Sequence, residues 1–311
     1  MTHSHSRRTF VFAALAAPFA SVALPAAAAS TAAKPNATTT VPVDDLTSAL
    51  TRLESAADGR IGLSAIDTAS GKRISYRADE RFPICSTFKT MAVAAILNRS
   101  MHDPALMEKR LQLKRKDVFK SGYAPITEKH LDQGMTITEL CAATMQYSDN
   151  AAVNRLMQEL GGPAAVTHYV RSLGDKVFRL DRWEPELNTA LPGDARDTST
   201  PAAMAQTLQK LTLGDALAAP QRAQLIAWLQ GNTTGGRRIR AGVPDNWVVG
   251  DKTGTGSYGT TNDTGILWPP AGAPIVTAIF FTQHHEKAAS RDDVIASVTH
   301  LLTHAIRPVT R

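Results

Sequence analysis

The stretch "FPICSTFKTMAVAAIL", Phe82 to Leu97, sets a serine and a lysine three residues apart at the mouth of an otherwise apolar helical run. A lysine is almost never buried alone, because desolvating an ammonium is costly or drives its pKa down. On a helix, Ser86 and Lys89 share a face, with β-carbons about 5 to 6 Å apart. A serine in a first helical turn also lies at the positive end, where free backbone N–H groups stabilise an oxyanion. A buried lysine with a lowered pKa could take the serine proton. By itself this short pattern is weak, and it needs company.

Around this stretch the chain divides by periodicity. "GRIGLSAIDTASGKRISYRAD" (Gly59 to Asp79) holds two alternating runs about a Ser-Gly turn and reads as a β-hairpin. "NWVVGDKTG", "TNDTGILWPP" and "APIVTAIFFTQ" are three further strands, and Arg291 to Ile306 has helical spacing. Between the two ends, Ser86 to Leu97, Thr138 to Gln146, Ala151 to Leu160, Pro163 to Leu173, Pro201 to Leu211 and Pro220 to Leu229 all read as helices, several opened by capping residues or an early proline. The expected fold is α/β: a five-stranded antiparallel sheet with flanking helices, built by both chain ends (about 44–81 and 232–311), with an all-α part (about 82–231) inserted between them. A cleft between the parts is the natural place for a site.

With 311 residues, 43% of them apolar and 20% charged, the composition is that of an ordinary globular chain. The first 29 residues differ: a basic start at "SRRTFVF", an apolar run from Val11 to Pro25 and small residues to Ala29 read as a signal peptide, too short and alanine-rich for a membrane span. The adjacent Arg7 and Arg8 point to the twin-arginine export route and hence to the periplasm. Residues 30–43, rich in Thr, Ala and Pro, read as a flexible leader, and the folded body as 44–311. Losing the signal lowers the net charge from +6 to +4, since Arg7 and Arg8 leave and no acid does. The basic cluster "EKRLQLKRKDVFK" lacks an aromatic platform, so it reads as a solvated surface rather than a nucleic-acid site. "HLLTH" has the i, i+4 spacing of a zinc pair without the glutamate of a metalloprotease motif, and no metal or other cofactor is expected. Two cysteines in an exported chain, Cys85 and Cys141, raise the question of a disulfide, which spacing alone does not answer.

Two further short motifs stand in order behind the first. In "QYSDNAAVN", Ser148, Asp149 and Asn150 break one helical stretch and open the next, as three good N-cap residues would. In "VVGDKTGTGSYG", Lys252 ends an apolar strand and is followed by Thr253, Gly254 and Thr255; small residues on a strand edge let a ligand approach, while lysine and threonine suit a carboxylate. SxxK, SDN and KTG in this order resemble the signature of class A serine β-lactamases and penicillin-binding proteins. The resemblance spans essentially the whole folded body.

A fourth element, "RWEPELNTALPGDARD" from Arg182 to Asp197, is similar to the class A Ω-loop, whose terminal Arg and Asp pair and whose Glu and Asn, here Glu184 and Asn188, hold a hydrolytic water. The same resemblance implies a cis Glu184–Pro185 peptide, Ser86 as nucleophile, Lys89 or Glu184 as its base, and Ser148 as proton relay to the leaving nitrogen. It implies Asn150, Lys252, Thr253, Gly254, Thr255 and Arg238 as substrate contacts and Tyr123 as the aromatic at the entrance. The oxyanion would lie between the amides of Ser86 and Thr255. The substrate is then a small β-lactam, with no membrane partner after processing, and the protein a monomer. The family's two known disulfides would need partners at positions held here by Gly256 and Val93, so both cysteines are expected to be free. A D-alanyl-D-alanine peptidase shares serine, lysine and KTG, but Glu184 in its loop separates it from this chain.

Overall fold

Residues 43–306 are described by the computed structural model; the expected export signal and the leader up to residue 42 lie outside them. The hairpin forms as its alternation predicts, pairing Gly59–Asp67 with Arg73–Tyr76. Asp67 closes its turn by accepting from Ala69 N at 3.1 Å and Ser70 Oγ at 2.8 Å, and Gly71 supplies the positive φ of 73° that the turn requires.

The sheet is antiparallel throughout, in the order Arg73–Tyr76, Gly59–Asp67, Ile275–Gln283, Thr261–Trp268, Val248–Thr255. The first strand of the chain thus pairs with the last, Leu63 opposite Ile279, which brings both ends of the folded body together around everything inserted between them. This is the mixed α/β class expected from the sequence.

Both sheet faces are covered. On one, Leu63, Ala65, Ile279 and Phe281 share a core with Leu46 and Leu50 of helix Val43–Ala56 and with Ile295, Val298 and Leu302 of helix Asp292–Ile306. On the other, Val276, Ala278 and Phe280 join a larger core that includes Met204 and Leu208 of helix Pro201–Thr212 and Leu225 and Leu229 of helix Ala219–Gln230. That core continues into helices Lys89–Ser100, Ile137–Gln146, Asn150–Leu160 and Pro163–Ser172. The described residues form one compact unit with an apolar interior continuous from the sheet into the helical insertion.

Local starts follow the sequence. Thr136 and Glu139 form a reciprocal capping box on Ile137–Gln146, and Thr200 caps Pro201–Thr212 through Ala203 N at 3.2 Å. One start differs. The α-helix expected from Ser86 begins at Lys89, preceded by a tighter 3-10 turn, Cys85–Phe88, because Cys85 takes φ 43° and the Thr87 hydroxyl donates back to Ile84 O at 2.6 Å. Two short strand pairs also join distant segments within the insertion, Phe82–Pro83 with Thr198–Ser199 and Arg110–Leu111 with Met135–Thr136. The first ties the serine's approach to the end of the Arg182 to Asp197 segment.

Cys85 and Cys141 are free thiols in the interior, and burial pushes both well above the ordinary thiol range. A thiol reagent should therefore label the folded protein at neither position and the denatured, unreduced protein at both. A count of zero after denaturation would contradict this packing.

Candidate active site

Two segments distant in sequence converge on Lys89. Its Nζ donates to Ser148 O at 2.8 Å and Asn150 Oδ1 at 2.5 Å, approaches Ser148 Oγ at 3.3 Å, and pairs with Glu184 Oε1 at 3.1 Å. The lysine side chain is fully buried, as is that of Glu184. Burial lowers the Lys89 pKa, and the Glu184 carboxylate opposes the shift. Ser86 Oγ donates to the same oxygen, Glu184 Oε1, at 3.2 Å. The serine and lysine therefore meet through the carboxylate.

The SDN triplet divides its labour. Asp149 is the cap: its carboxylate receives Ala152 N at 2.9 Å, Ile126 N at 3.0 Å, Thr127 N at 2.9 Å and the Thr127 hydroxyl at 3.0 Å. This locks helix Asn150–Leu160 to the loop that carries Tyr123. Ser148, at φ 57°, and Asn150 are left to face the site. Asn150 Nδ2 donates to Ser121 O at 2.9 Å while its carbonyl accepts Lys89, which fixes the amide's orientation. Tyr123, 51% exposed, stands on the adjoining loop.

The Arg182 to Asp197 segment is closed at its neck. Arg182 Nε meets Asp197 Oδ2 at 2.5 Å, while Asp197 Oδ1 receives the backbone N–H groups of Asp181 at 2.7 Å and Arg182 at 3.0 Å. The Glu184–Pro185 peptide is cis. Asn188 Nδ2 donates to Glu184 Oε2 at 2.5 Å, and Asn188 Oδ1 is buried without a hydrogen-bond partner, an acceptor facing the carboxylate's surroundings. Asn154, absent from the motifs, holds the Glu184 peptide at both ends, accepting its N–H at 3.1 Å and donating to its C=O at 2.9 Å. It lies one helical turn beyond Asn150, a position that shows in sequence only as a polar residue on an apolar helix.

Strand Val248–Thr255 forms the opposite wall. A β-carbon on Gly254 would stand 2.9 Å from Ile84 O, and one on Gly256 would stand 2.7 Å from Cys85 Sγ and from Asn188 O. Glycine is needed for the strand to lie against both the serine turn and the loop. Lys252 is fully buried and donates to Ser148 Oγ at 3.0 Å and Thr253 O at 3.0 Å. Burial pushes its pKa down to about 7, Lys89 adds to that shift, and Asp251 and Asp263 oppose it. Ser148 Oγ thus lies between two ammonium groups. Thr253 Oγ1 bonds Thr234 Oγ1 at 2.5 Å.

Arg238 is more tightly engaged than a free substrate cation would be. Its guanidinium donates to Asp292 Oδ1 at 2.7 Å, to the carbonyls of Gly254 and Asn262 at 2.8 Å each, and to Thr255 Oγ1 at 2.7 Å. Its neighbours turn elsewhere, Arg240 to Asp251 and Arg237 to Asp292. Arg238 reaches the strand edge through the Thr255 hydroxyl.

A serine joined to a buried carboxylate and lysine, with a second hydroxyl between two lysines, is chemically suited to transfer an acyl group and then hydrolyse it. The sequence profile of the β-lactamase enzyme family matches residues 45–306. The chain belongs to this family. It is 56% identical to β-lactamase CTX-M-97 of Escherichia coli over 82% of this chain and 87% of that one, and 54% identical to β-lactamase OXY-2 of Klebsiella oxytoca over 85% and 90%. Among solved structures, a β-lactamase from Desulfarculus baarsii superposes with a TM-score of 0.84 at 50% identity, covering 86% of this chain and 99% of that one. The β-lactamase of Streptomyces albus G does so at 0.82 and 47%, covering 84% and 98%. With this support the chain is a class A serine β-lactamase.

In this β-lactamase the Asp149 carboxylate has the most concentrated set of structural bonds. Replacing it with Ala should lower the unfolding free energy by about 2 to 4 kcal/mol, from buried N–H groups left unpaired and a lost cap. Asp149→Asn should recover part of that loss. Urea midpoints at unchanged m-value would show it, and an Ala variant as stable as the parent would refute it.

Proposed function

We propose that this site hydrolyses β-lactam antibiotics through an acyl-enzyme on Ser86, and so confers resistance to them. The observation that carries the reading is the shared oxygen: Glu184 Oε1 lies 3.2 Å from Ser86 Oγ and 3.1 Å from Lys89 Nζ. Ser86 Oγ attacks the lactam carbonyl while its proton passes to the Lys89 and Glu184 pair. The negative oxygen that forms is met by the amides of Ser86 and Thr255. Ser148, bonded by Lys252 and close to Lys89, hands a proton to the lactam nitrogen as its bond to the carbonyl breaks and takes back through Lys89 the proton that came from Ser86, which leaves Glu184 a carboxylate again. Glu184 then takes a proton from water, the hydroxide attacks the ester, and Ser86 leaves with its hydrogen restored.

Binding is assigned to the other members. Lys252, Thr253, Gly254 and Thr255 line the strand edge for the substrate carboxylate, Arg238 polarises the Thr255 hydroxyl, and Asn150 offers its amide to the substrate side chain. Asn188 holds the hydrolytic water with Glu184, and Tyr123 presents a flat face at the entrance. The protein acts as a monomer without a metal or other cofactor. Among the described residues no helix is long and apolar enough to cross a membrane. The basic, apolar and small-residue order of residues 1–29 supports export to the periplasm by the twin-arginine route.

Replacing Glu184 with Gln should leave acylation possible and stall release, since removing a positioned general base costs about a hundred- to ten-thousand-fold in rate. Intact-mass spectrometry of Glu184→Gln with a penicillin should show one added substrate mass, absent from the Ser86→Ala, Glu184→Gln double variant. Parent-rate hydrolysis by the single variant would refute the assignment.

Lys252 gives a pH test. Its pKa is lowered by burial to about 7, so its positive charge is complete only well below that pH, half lost there and gone as pH rises further. For a penicillin, whose carboxylate stays ionised, kcat/KM should fall on the alkaline side well before free lysine would titrate. Lys252→Arg should remove that limb, because a guanidinium stays charged. A flat profile for the parent up to pH 10 would overturn the role.

A further inference from the structure

A cavity of about 700 Å3 is lined on one side by Glu184 and Asn154 and otherwise by residues to which no step above gives a role. Its predominantly apolar wall includes Leu113, Val118, Ala151 and Trp183, and it reaches Glu184 and Asn154, with no residue of strand Val248–Thr255 in its lining. Its size is within the range that accepts a drug-sized molecule.

The charges around it fall into two sets. Arg155, Arg182, Asp181 and Glu184 are already paired, with Glu159 at 2.9 Å, Asp197 at 2.5 Å, Arg179 at 2.6 Å and Lys89 at 3.1 Å respectively. Lys114, Asp117 and Lys120, spaced three apart on and beside the short helix Arg115–Lys120, line one side, and Glu186 lines the loop side. Among the described residues these four side chains form no ion pair. The helix rim therefore carries a net positive charge and the loop rim a negative one, with an indole and aliphatic side chains between them.

We propose that this cavity is a regulatory site for a planar aromatic zwitterion, its anionic end toward Lys114 and Lys120, its ring against Trp183 and its cationic end toward Glu186. An occupant would bear on Trp183, on Glu186 and on the Asn154 amide that holds the Glu184 peptide by two hydrogen bonds. Occupancy moves or braces the segment carrying the carboxylate without touching Ser86, so it changes turnover rather than substrate binding. The regulatory half rests on Glu184 being the deacylating base; the binding half does not.

Ciprofloxacin, a fluorescent flat bicycle with a carboxylate at one end and a piperazinium at the other, is the probe, and nalidixic acid, which lacks the cation, is its control. Fluorescence anisotropy of the full chain should saturate at one ciprofloxacin per molecule, with nalidixic acid competing at least fivefold more weakly. The Lys114→Gln, Lys120→Gln, Glu186→Gln triple variant should raise Kd about tenfold, and Trp183→Ala should raise it independently. Binding should survive acylation of Ser86, tested with the Glu184→Gln protein and saturating penicillin. In the parent, bound probe should change kcat and KM together at least threefold with kcat/KM unchanged, the signature of an effect confined to deacylation. Equal binding of the control, displacement by the acyl group, or indifference to both variants would overturn the site. Binding that passes those tests but leaves kcat unchanged would overturn the regulatory half alone. The anisotropy arm is readable whether or not the protein hydrolyses penicillin, so failure of the functional reading and failure of this site are separable.

Discussion

The buried pair of Lys89 and Glu184 is the constraint on which the rest of the structure depends. Two charges taken out of water gain enough from each other only when their remaining donors and acceptors are also met. Lys89 finds them in Ser148 O and Asn150 Oδ1, Glu184 in Ser86 Oγ and Asn188 Nδ2. These partners come from a 3-10 turn, a helix junction and an irregular loop. Displacing any of the three leaves a charge in the interior with too few partners, so the pair makes their relative placement stringent.

That stringency explains bonds with no chemical task. Asp149 anchors the helix that offers Asn150, Asp197 closes the neck of the loop that offers Glu184, and Asn154 ties that loop to the same helix. The sheet supplies the remaining wall, and its glycines set how near that wall comes. Close approach then has an electrostatic result. Lys252 and Lys89 both reach Ser148; burial lowers the affinity of each for its proton, and at Lys252 the charge of Lys89 adds to that. Groups already oriented and desolvated before substrate arrives need little rearrangement when charge develops.

Most of the order of elements, and the motif residues that the fold gathers around Lys89, were legible because each depends on local spacing. Alternation marked five strands, a 3.6-residue period marked seven helices, and a lysine in an apolar run announced a buried partner. Helix Val43–Ala56 passed unread, although Leu46, Leu50 and Leu53 repeat at helical spacing, because it follows directly on a Thr- and Pro-rich leader. The α-helical start at Lys89 rather than Ser86 was hidden too, since it depends on a left-handed Cys85 held by packing.

Sequence by itself determined which residue types could perform the chemistry and in what order the chain presents them, because motifs and periodicity are properties of neighbours. Tertiary structure alone decided that Ser86 and Lys89 meet on one oxygen of a carboxylate 98 residues further on, that Arg238 spends its donors on Thr255, Asp292 and two carbonyls, and that Asn154 belongs to the site. Those pairings join residues far apart in the chain. Their geometry follows from how the sheet, the helices and the loop pack, and packing is a balance over the whole interior that no local spacing records.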